Sequence, residues 1–351
     1  MIGEMNEAYM LRVLQLLLTT PSPSGYCHAV MAKLKQEADE LGFTLQLTPK
    51  GNGIIRVPGR EEGRVLGLSA HVDTLGAMVR AIKPDGRLRF TLIGGFMLGS
   101  VENEYCVVHT RDGRTYTGTI LTTKPSLHVY ADARELKREE SVMEIRLDER
   151  VHNADDVRGL GIANGDYISF DARTVMLPSG YIKSRHLDDK AGVAALFGML
   201  EWLQRTGHKP AYPLQLLIST YEEVGHGAAW VPEEMTELLA VDMGAIGDDL
   251  SCTEHDVSIC AKDSSGPYDY LMTTRLKELA VREGLSHAVD IYPHYGSDAS
   301  AALRGGANVR AALIGPGVHA SHGIERTHSQ AILQTAVLLA AYVLEPADTY
   351  A

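Results

Sequence analysis

The feature that most constrains the fold is a change of pattern in the middle of the chain. On either side of it, short apolar runs alternate with runs that have helical spacing, which predicts an α/β domain with a central mixed sheet sandwiched by helices. From about residue 77 to 170 the runs become short and are broken by turn sequences such as Pro84-Asp85-Gly86 and Asn164-Gly165-Asp166, which predicts several short strands. We therefore expect an α/β domain in two parts, 1–74 and 173–351, with a small β-barrel-like domain inserted at 75–172.

The same patterns predict the individual elements outside the insert. Helices are predicted at 4–18, 26–41, 191–205, 268–283 and 329–344. Strands are predicted at 53–57, 65–70, 214–220, 238–241 and 308–314.

Composition and charge exclude several classes of protein. The chain has 33 Lys and Arg against 45 Asp and Glu, a formal net charge of −12, which argues against a surface built for nucleic acid. Its four cysteines form no CxxC pair and are predicted to be scattered reduced thiols. The N-terminal segment carries Glu4, Glu7 and Arg12, and the longest uncharged apolar run, 331–344, is shorter than the roughly 20 residues of a membrane span. We therefore expect a cytoplasmic protein with neither nucleic-acid nor membrane partners.

Five short groups of polar residues follow or border apolar runs. They are His71-Val72-Asp73, Asp188-Asp189, Glu222-Glu223, Asp242, and the His328 of Arg326-Thr327-His328-Ser329. Each group alone is weak evidence for a functional site, because acidic pairs and single histidines are usually solvated or cap helices. Ligands of open α/β sheets bind outside the carboxyl ends of the strands, so we expect these groups to converge on one crevice.

Carboxylates buried at such an edge need a neutralising charge, which divalent metal ions would supply. We predict His71, Asp188, Glu223, Asp242 and His328 as ligands, with Asp188 bridging two ions. A donor set of imidazole and carboxylate without thiolates favours zinc, cobalt or manganese in a catalytic centre. Asp73 is placed to accept the other ring N–H of His71. Glu222 remains free to move protons.

These motifs resemble those of the co-catalytic metalloaminopeptidases that include the glutamyl, deblocking and tetrahedral (TET) aminopeptidases. Further matching stretches are Thr20-Pro21-Ser22-Pro23-Ser24-Gly25-Tyr26, Glu222-Glu223-Val224-Gly225 and Gly161-Ile162-Ala163-Asn164-Gly165-Asp166. The long separation between His71 and Asp188 is also similar, because the β insert of this family lies between those two ligands. The implied fold is the zinc-peptidase-like sandwich of sheet and helices.

The resemblance implies a role for each matching residue. His71 and Asp242 would hold one ion, Glu223 and His328 the other, and the Asp188–Asp189 peptide bond would be cis. Glu222 would be the general base that assists a metal-bridging hydroxide.

The resemblance also implies two divalent ions per subunit, peptide substrates with a free amino terminus, and a homo-oligomer that in this family is often a tetrahedral dodecamer. His319 and His322 compete for the last ligand position, but Arg326 and Ser329 favour His328 because they complete the motif. Asp298 is expected to be no more than a helix cap.

Two other functions stay open at this stage. A glycosidase also uses two carboxylates, and some relatives have carried an endoglucanase label. A non-catalytic assembly protein could share the fold, although it would have no need for an intact ligand set. Departures from the family pattern at Thr74, Lys190 and His226 leave the preferred N-terminal residue open.

Overall fold

The computed structural model describes residues 2–350. Within this range the α-helices are α1 (Glu7–Leu18), α2 (His28–Glu40), α3 (Ala154–Gly159), α4 (Leu187–Thr206), α5 (Tyr270–Arg282), α6 (Asp298–Arg304) and α7 (Ser329–Leu344). The strands of the first half are β1 (Leu45–Leu47), β2 (Gly53–Val57), β3 (Leu66–His71), β4 (Gly76–Ile82), β5 (Leu88–Ile93), β6 (Tyr105–His109), β7 (Thr115–Thr122), β8 (Met143–Leu147) and β9 (Tyr167–Phe170). Those of the second half are β10 (Val175–Met176), β11 (Tyr181–Ser184), β12 (Leu214–Ser219), β13 (Glu237–Val241), β14 (Gly244–Ala245), β15 (Val257–Asp263), β16 (Gly266–Pro267), β17 (His287–Ile291), β18 (Arg310–Val318) and β19 (Glu325–His328).

The central sheet is mixed, as the sequence predicts. Its strand order is β1-β2-β12-β3-β13-β18-β15-β16, with β14 beside β18 and β17 beside β15. The four central strands β12, β3, β13 and β18 are parallel to one another, whereas β2 and β15 pair with them in the antiparallel sense. Strands β3, β12 and β13 are buried along their whole length, which explains their nearly continuous apolar sequences.

Helices cover both faces of this sheet, which confirms the predicted sandwich. The first face packs against α1, α2, α4, α5 and α7, and its core includes Leu68, Ile218 and Leu338. The second face packs against α6 and the segment around residues 228–235, with Leu217 and Leu238 in its core. Both cores are formed by side chains that alternate along the same strands.

The middle third of the chain forms a closed barrel with the strand order β4-β5-β8-β7-β6-β9. Its strands pair in the antiparallel sense, and it has a separate apolar core that includes Phe90, Val108 and Ile145. The predicted β-barrel-like insert is confirmed as a barrel that interrupts the sheet between β3 and the small sheet β10-β11-β19. No helix within residues 2–350 is long and apolar enough to cross a membrane. The four cysteines are buried and free.

The parallel strands bring their carboxyl ends to one edge of the sheet. Strand β3 ends at His71, β12 ends at Ser219, and β13 ends at Val241, one residue before Asp242. Strand β18 runs in the same direction and is followed by the loop that carries His322. This edge is where ligands of open α/β sheets bind.

Candidate active site

Five side chains from distant parts of the sequence meet at this edge of the sheet. The Asp188 carboxylate lies between two imidazoles: its Oδ1 is 3.2 Å from His71 Nε2, and its Oδ2 is 3.4 Å from His322 Nε2. Glu223 Oε2 is also 3.4 Å from His322 Nε2, and Asp242 Oδ2 is 4.0 Å from His71 Nε2. The two oxygens of one carboxylate therefore face two different histidines, each of which has a second carboxylate beside it.

Both histidines present Nε2 to the carboxylates because Nδ1 is held by a backbone carbonyl. His71 Nδ1 lies 3.0 Å from the Asp73 carbonyl oxygen, and His322 Nδ1 lies 2.5 Å from that of Gly95. A carbonyl oxygen can only accept, so Nδ1 carries the proton and Nε2 of a neutral ring carries the lone pair. A lone pair that faces a carboxylate requires a proton or a cation between them, and metal-bound histidines are held in this way.

The electrostatics of the cluster also favour a bound cation. Burial raises the pKa of Glu222 and Glu223 well above the usual value, and burial together with Asp188 raises that of Asp242 to about 7. Burial would likewise raise the pKa of Asp188, but hydrogen bonds from His322 and His71 hold it below its usual value. Four buried or partly buried carboxyl groups thus crowd two imidazoles, an arrangement that divalent ions would neutralise.

In the two histidines, the neighbouring carboxylates favour the charged form of the ring. Burial opposes their charged form, yet the carboxylate neighbours, Asp188 first, raise the pKa of His71 well above its usual value and that of His322 to about 10. The same carboxylates that raise these pKa values would attract a metal cation. Two sets of potential ligand atoms, those of His71, Asp188 and Glu223 and those of His71, Asp189 and Asp242, lie within 4.8 Å of one another. The donor set fits divalent metal ions.

The Asp73 carboxylate positions the turn that carries the two glutamates. Strand β12 is followed by a 3₁₀ turn at Glu222–Val224, and Asp73 accepts hydrogen bonds from the backbone N–H of Glu222 (3.1 Å) and of Glu223 (3.2 Å). It also accepts one from Ser24 Oγ at 2.5 Å. The carboxylate lies 3.6 Å from His71 Nδ1, farther than the carbonyl oxygen of Asp73 itself. The acceptor for the Nδ1–H of His71 is therefore the backbone carbonyl of Asp73, whereas the sequence analysis predicted the Asp73 side chain.

The start of α4 has an irregular backbone next to the histidine–carboxylate cluster. The Asp188–Asp189 peptide bond is cis, and both residues have non-helical backbone angles. The buried Asp189 accepts hydrogen bonds from the backbone N–H of His71 (3.2 Å) and of Gly192 (3.1 Å). Asp189 thus fixes the end of β3 relative to α4.

Glu325 is a functional candidate that the sequence reasoning missed. Its buried carboxylate accepts hydrogen bonds from the backbone N–H of Asp188 (3.1 Å) and of His322 (3.0 Å). It therefore joins Asp188 at the start of α4 to His322 in the loop after β18. One feature of the sequence could have indicated this role. Glu325 lies three positions after His322, a spacing typical of local hydrogen bonds from a side chain to the backbone.

The structure does not bring His328 to this cluster. His328 is the N-cap of α7, where its Nδ1 accepts from the backbone N–H of Gln330 (3.1 Å) and its Nε2 lies 2.9 Å from the Ser179 carbonyl oxygen. Both ring nitrogens have partners, so neither offers a lone pair to a metal ion. His322, the competing candidate, occupies the position expected of His328, whereas His319 is exposed.

Asp298 is not the cap of α6, contrary to expectation. Ser297 is the N-cap and forms a capping box with Ser300. The buried Asp298 carboxylate instead accepts from Ser219 Oγ (2.5 Å) and from the Ala228 backbone N–H (2.8 Å). It therefore holds both ends of the segment that contains the glutamate turn.

A cavity of about 730 Å³ opens beside the cluster. Its wall includes Glu222, whose Oε2 is 3.7 Å from His71 Nε2. The remaining wall is largely apolar and aromatic. This volume suits a small molecule or the end of a peptide.

Comparison with known proteins identifies relatives along most of the chain. The family profile described as M42 glutamyl aminopeptidase matches residues 51–338. YhfE of Bacillus subtilis (strain 168), named as an aminopeptidase, is 48% identical over 331 residues, which cover 94% of this chain and 96% of that protein. The glutamyl aminopeptidase of Lactococcus lactis (27% identical) and the lysyl aminopeptidase of Pyrococcus furiosus (26%) match 58% and 60% of this chain, and 56% and 58% of their own lengths.

Solved structures share the fold at lower identity. The TET1 peptidase of Pyrococcus horikoshii, described as assembling into a tetrahedron or a large octahedral shell, has a TM-score of 0.82 at 23% identity, covering 96% of this chain and 99% of that one. A protein of Thermotoga maritima titled as an endoglucanase has a TM-score of 0.74 at 20% identity, covering 95% of this chain and 96% of that one. At these identities the likeness concerns the fold alone.

Proposed function

The chain belongs to the M42 glutamyl aminopeptidase family and is a peptidase hydrolase, and we propose that it releases N-terminal residues from peptides with two divalent metal ions. Peptidases of this family are metal-dependent. The observation that carries the proposal is the position of the Asp188 carboxylate, whose two oxygens lie 3.2 and 3.4 Å from Nε2 of His71 and of His322. A carboxylate between two imidazoles that each have a further carboxylate suits a pair of ions rather than one.

We assign the ligands by their neighbours. His71 and Asp242 would hold one ion, Glu223 and His322 the other, and Asp188 would be shared. Imidazole nitrogen and carboxylate oxygen suit zinc or cobalt best, with manganese as a further option. Asp73, Asp189 and Glu325 would position these ligands through the backbone bonds described above.

Glu222 is the proposed general base. It lies next to the cluster, lines the cavity and is not needed as a ligand in this assignment. Bound divalent ions would polarise the scissile carbonyl and lower the pKa of the attacking water. Glu222 would accept the proton of that water and return it to the leaving amine, and the raised pKa of its carboxyl group suits both transfers.

The first experiment is removal and return of the metal. The chelated protein should not release amino acids from aminoacyl p-nitroanilides, and reloading with Zn²⁺ or Co²⁺ should restore turnover with two ions bound per chain. An N-acetylated substrate should remain intact, because the proposed reaction needs a free amino terminus. Full activity after complete removal of metal would overturn the proposal, as would two bound ions in the Asp188→Ala variant.

We also propose that the chain forms a homo-oligomer in which the insert, residues 75–172, takes part. The description of the structurally similar TET1 peptidase as a tetrahedron or octahedral shell supports self-assembly of this fold. Light scattering with size-exclusion chromatography should give a mass well above the 38.2 kDa of one chain, with twelve copies as the tetrahedral case. A monomer at micromolar concentration would contradict this part of the proposal.

A further inference from the structure

A second large cavity lies between the barrel and the sheet domain. Its volume is about 630 Å³, and within residues 2–350 it shares no lining residue with the cavity beside the candidate metal centre. The barrel contributes strands β6, β7 and β9 to its wall, and the sheet domain contributes the end of α1 and the start of α4. None of the described residues that line it has a role in the proposed reaction, so this cavity needs a separate explanation.

The barrel side of the cavity is the outer face of three strands. Val107 of β6 pairs with Thr117 of β7 and with Ser169 of β9, and all three line the cavity. Cys106 and Val108, the chain neighbours of Val107, lie in the barrel core, so the side chain of Val107 faces outwards. The apolar surface of the cavity comes from this face and from the segments around it: Leu18, Pro21, Tyr105, Val107 and Ala172.

The inner part of the wall carries a positive charge. Lys190 is 1% exposed and, histidine aside, is the one acidic or basic side chain among the buried lining residues that the structure describes. The other charged lining residues are exposed at the mouth: Asp148, Asp171 and Arg173. Solvent screens exposed charges more strongly than a buried one, so Lys190 decides which ligand charge is favoured inside the cavity.

Lys190 is a buried cation without a carboxylate partner. Its Nζ donates to the carbonyl oxygens of Leu17 and Thr20, both at 2.9 Å, and it forms no ion pair within residues 2–350. Lys33 adds a second positive charge that is also not ion-paired in this range, and its Nζ donates to Thr20 Oγ1 at 2.7 Å. The carbonyl groups at the end of a helix together carry only about half a negative charge, so they do not neutralise two ammonium groups. Buried charges are usually paired, so this part of the wall favours an anion.

The imidazole of His186 lies in the same wall without a hydrogen-bond partner. His186 is 7% exposed, and neither of its ring nitrogens makes a hydrogen bond within the described part of the chain. Polar groups buried to this degree normally have a partner. His186 is the residue before α4, four positions before Lys190, and a neutral imidazole has one N–H to donate. The wall therefore offers a second donor for the oxygens of an anion.

We propose that this cavity binds a small organic carboxylate with an apolar body. The carboxylate would accept hydrogen bonds from Lys190 and His186, and the apolar body would lie against Val107 and Pro21. An ammonium group has three N–H donors, so Lys190 keeps one after its two bonds to carbonyl oxygens. Charge-assisted bonds of this kind are stronger than neutral ones. A cavity of about 630 Å³ with apolar walls and few polar groups is typical of small-molecule sites.

A ligand in this cavity would contact both domains. The lining residues come from the barrel and from the sheet domain, so the bound molecule would hold the two together. The site is separate from the proposed metal centre, and its binding can be measured whether or not the chain hydrolyses peptides. A negative result here therefore leaves the proposed function intact.

The carboxylate can come from two sources, an organic acid or an amino acid released from a peptide. The two differ in the α-ammonium group, for which the buried described residues of the wall provide no carboxylate. Three probes with the same phenyl body separate the possibilities: 3-phenylpropionate, phenylalanine and the uncharged 3-phenylpropanamide. We expect 3-phenylpropionate to bind best. Binding of phenylalanine with equal affinity at this cavity would identify released amino acids as a source of the ligand.

The test is isothermal titration calorimetry of the metal-loaded protein with each probe. In the wild type, 3-phenylpropionate should bind about tenfold more tightly than its amide, because only the carboxylate makes charge-assisted bonds. In Lys190→Met this preference should disappear. Val107→Trp fills the cavity from the barrel side and keeps Lys190, so it should abolish binding of both probes. The matched control is Val289→Trp, a partly exposed valine of β17 outside this cavity, which should bind both probes as the wild type does.

Two results would overturn the inference. One is binding of 3-phenylpropionate that is unchanged in Val107→Trp, which would place the probe at another site such as the metal centre. The other is equal affinity of the wild type for 3-phenylpropionate and its amide, or no binding of either. Val107 lies on the outer face of the barrel, so this variant tests the cavity even if Lys190→Met does not fold.

Discussion

The pair of variants His322→Ala and His328→Ala separates a metal ligand from a helix cap. Nε2 of His322 lies 3.4 Å from both Asp188 Oδ2 and Glu223 Oε2, so in the proposed assignment its removal would take a ligand from one ion and leave the shared Asp188 with His71. We expect His322→Ala to bind about one ion instead of two. In the proposed mechanism the ions would stabilise the developing oxyanion, so kcat/KM should fall at least about 10²-fold, equivalent to about 2.7 kcal/mol.

His328→Ala should have the opposite profile. It removes the side-chain acceptor for the Gln330 N–H at the start of α7, which costs about 1 kcal/mol of stability. The metal content should stay at two ions per chain, and kcat/KM should stay near that of the wild type. Metal analysis of the purified variants, thermal unfolding and leucyl p-nitroanilide hydrolysis measure these quantities. Loss of an ion in His328→Ala together with two ions in His322→Ala would refute the reasoning about ring nitrogens.

Three further predictions concern the residues around the ions. Glu222→Gln should keep both ions in metal analysis but lower kcat by about 10²–10⁴-fold, because the amide cannot accept the proton; near-normal turnover would contradict its role as base. Asp73→Asn should lower the unfolding free energy by about 1–3 kcal/mol, since an amide cannot accept all three hydrogen bonds of the carboxylate, and denaturant unfolding that matches the wild type would contradict the assigned contacts. In the metal-free protein, the folded-state pKa is raised from 6.5 to about 10 for His322 and from 3.8 to about 7 for Asp242, so at these two groups the native state binds more protons, and the stability that they contribute should be lost as pH rises from about 4 to 10. Added Zn²⁺ should then raise the Tm of thermal unfolding more at pH 8 than at pH 6. Equal increases in Tm at the two pH values would contradict these pKa shifts.

The sequence predicted the edge of the sheet at which the site forms, because that part depends on local patterns. Apolar runs that end in a polar residue identify β3 and β13 with an error of one or two residues, and parallel strands must bring their carboxyl ends together. The clustering of His71, Glu223 and Asp242 follows from this geometry, whereas Asp188 comes from the start of α4. The barrel was also predictable, because turn sequences divide the middle third into short strands.

The second histidine of the cluster was not predictable, because its position depends on the path of a loop. His319, His322 and His328 lie within ten positions after β18, and spacing does not indicate which of them turns towards Asp188. The loop places His322 with a positive φ of 63°, and the ring is then fixed by Gly95, which is 227 positions away in the barrel. Long-range contacts of this kind leave no periodic signal in the sequence. The same reason hid the role of Asp298, whose partners Ser219 and Ala228 belong to another element.

The contact with Gly95 also links the barrel to the candidate active site. The loop of residues 94–101 lies between β5 and β6 of the barrel, yet it fixes the tautomer of His322 and supplies Phe96 and Met97 to the cavity wall. Ser100 adds a hydrogen bond from its hydroxyl to the His322 carbonyl oxygen at 3.4 Å, and its own carbonyl accepts one from Arg185. Since the Gly95 carbonyl oxygen is the partner of His322 Nδ1, the proposed second ion site should be complete only while the barrel is docked on the sheet domain. Any motion that separates the two domains should therefore weaken binding of the proposed ion at His322 and Glu223 before that of the one at His71 and Asp242.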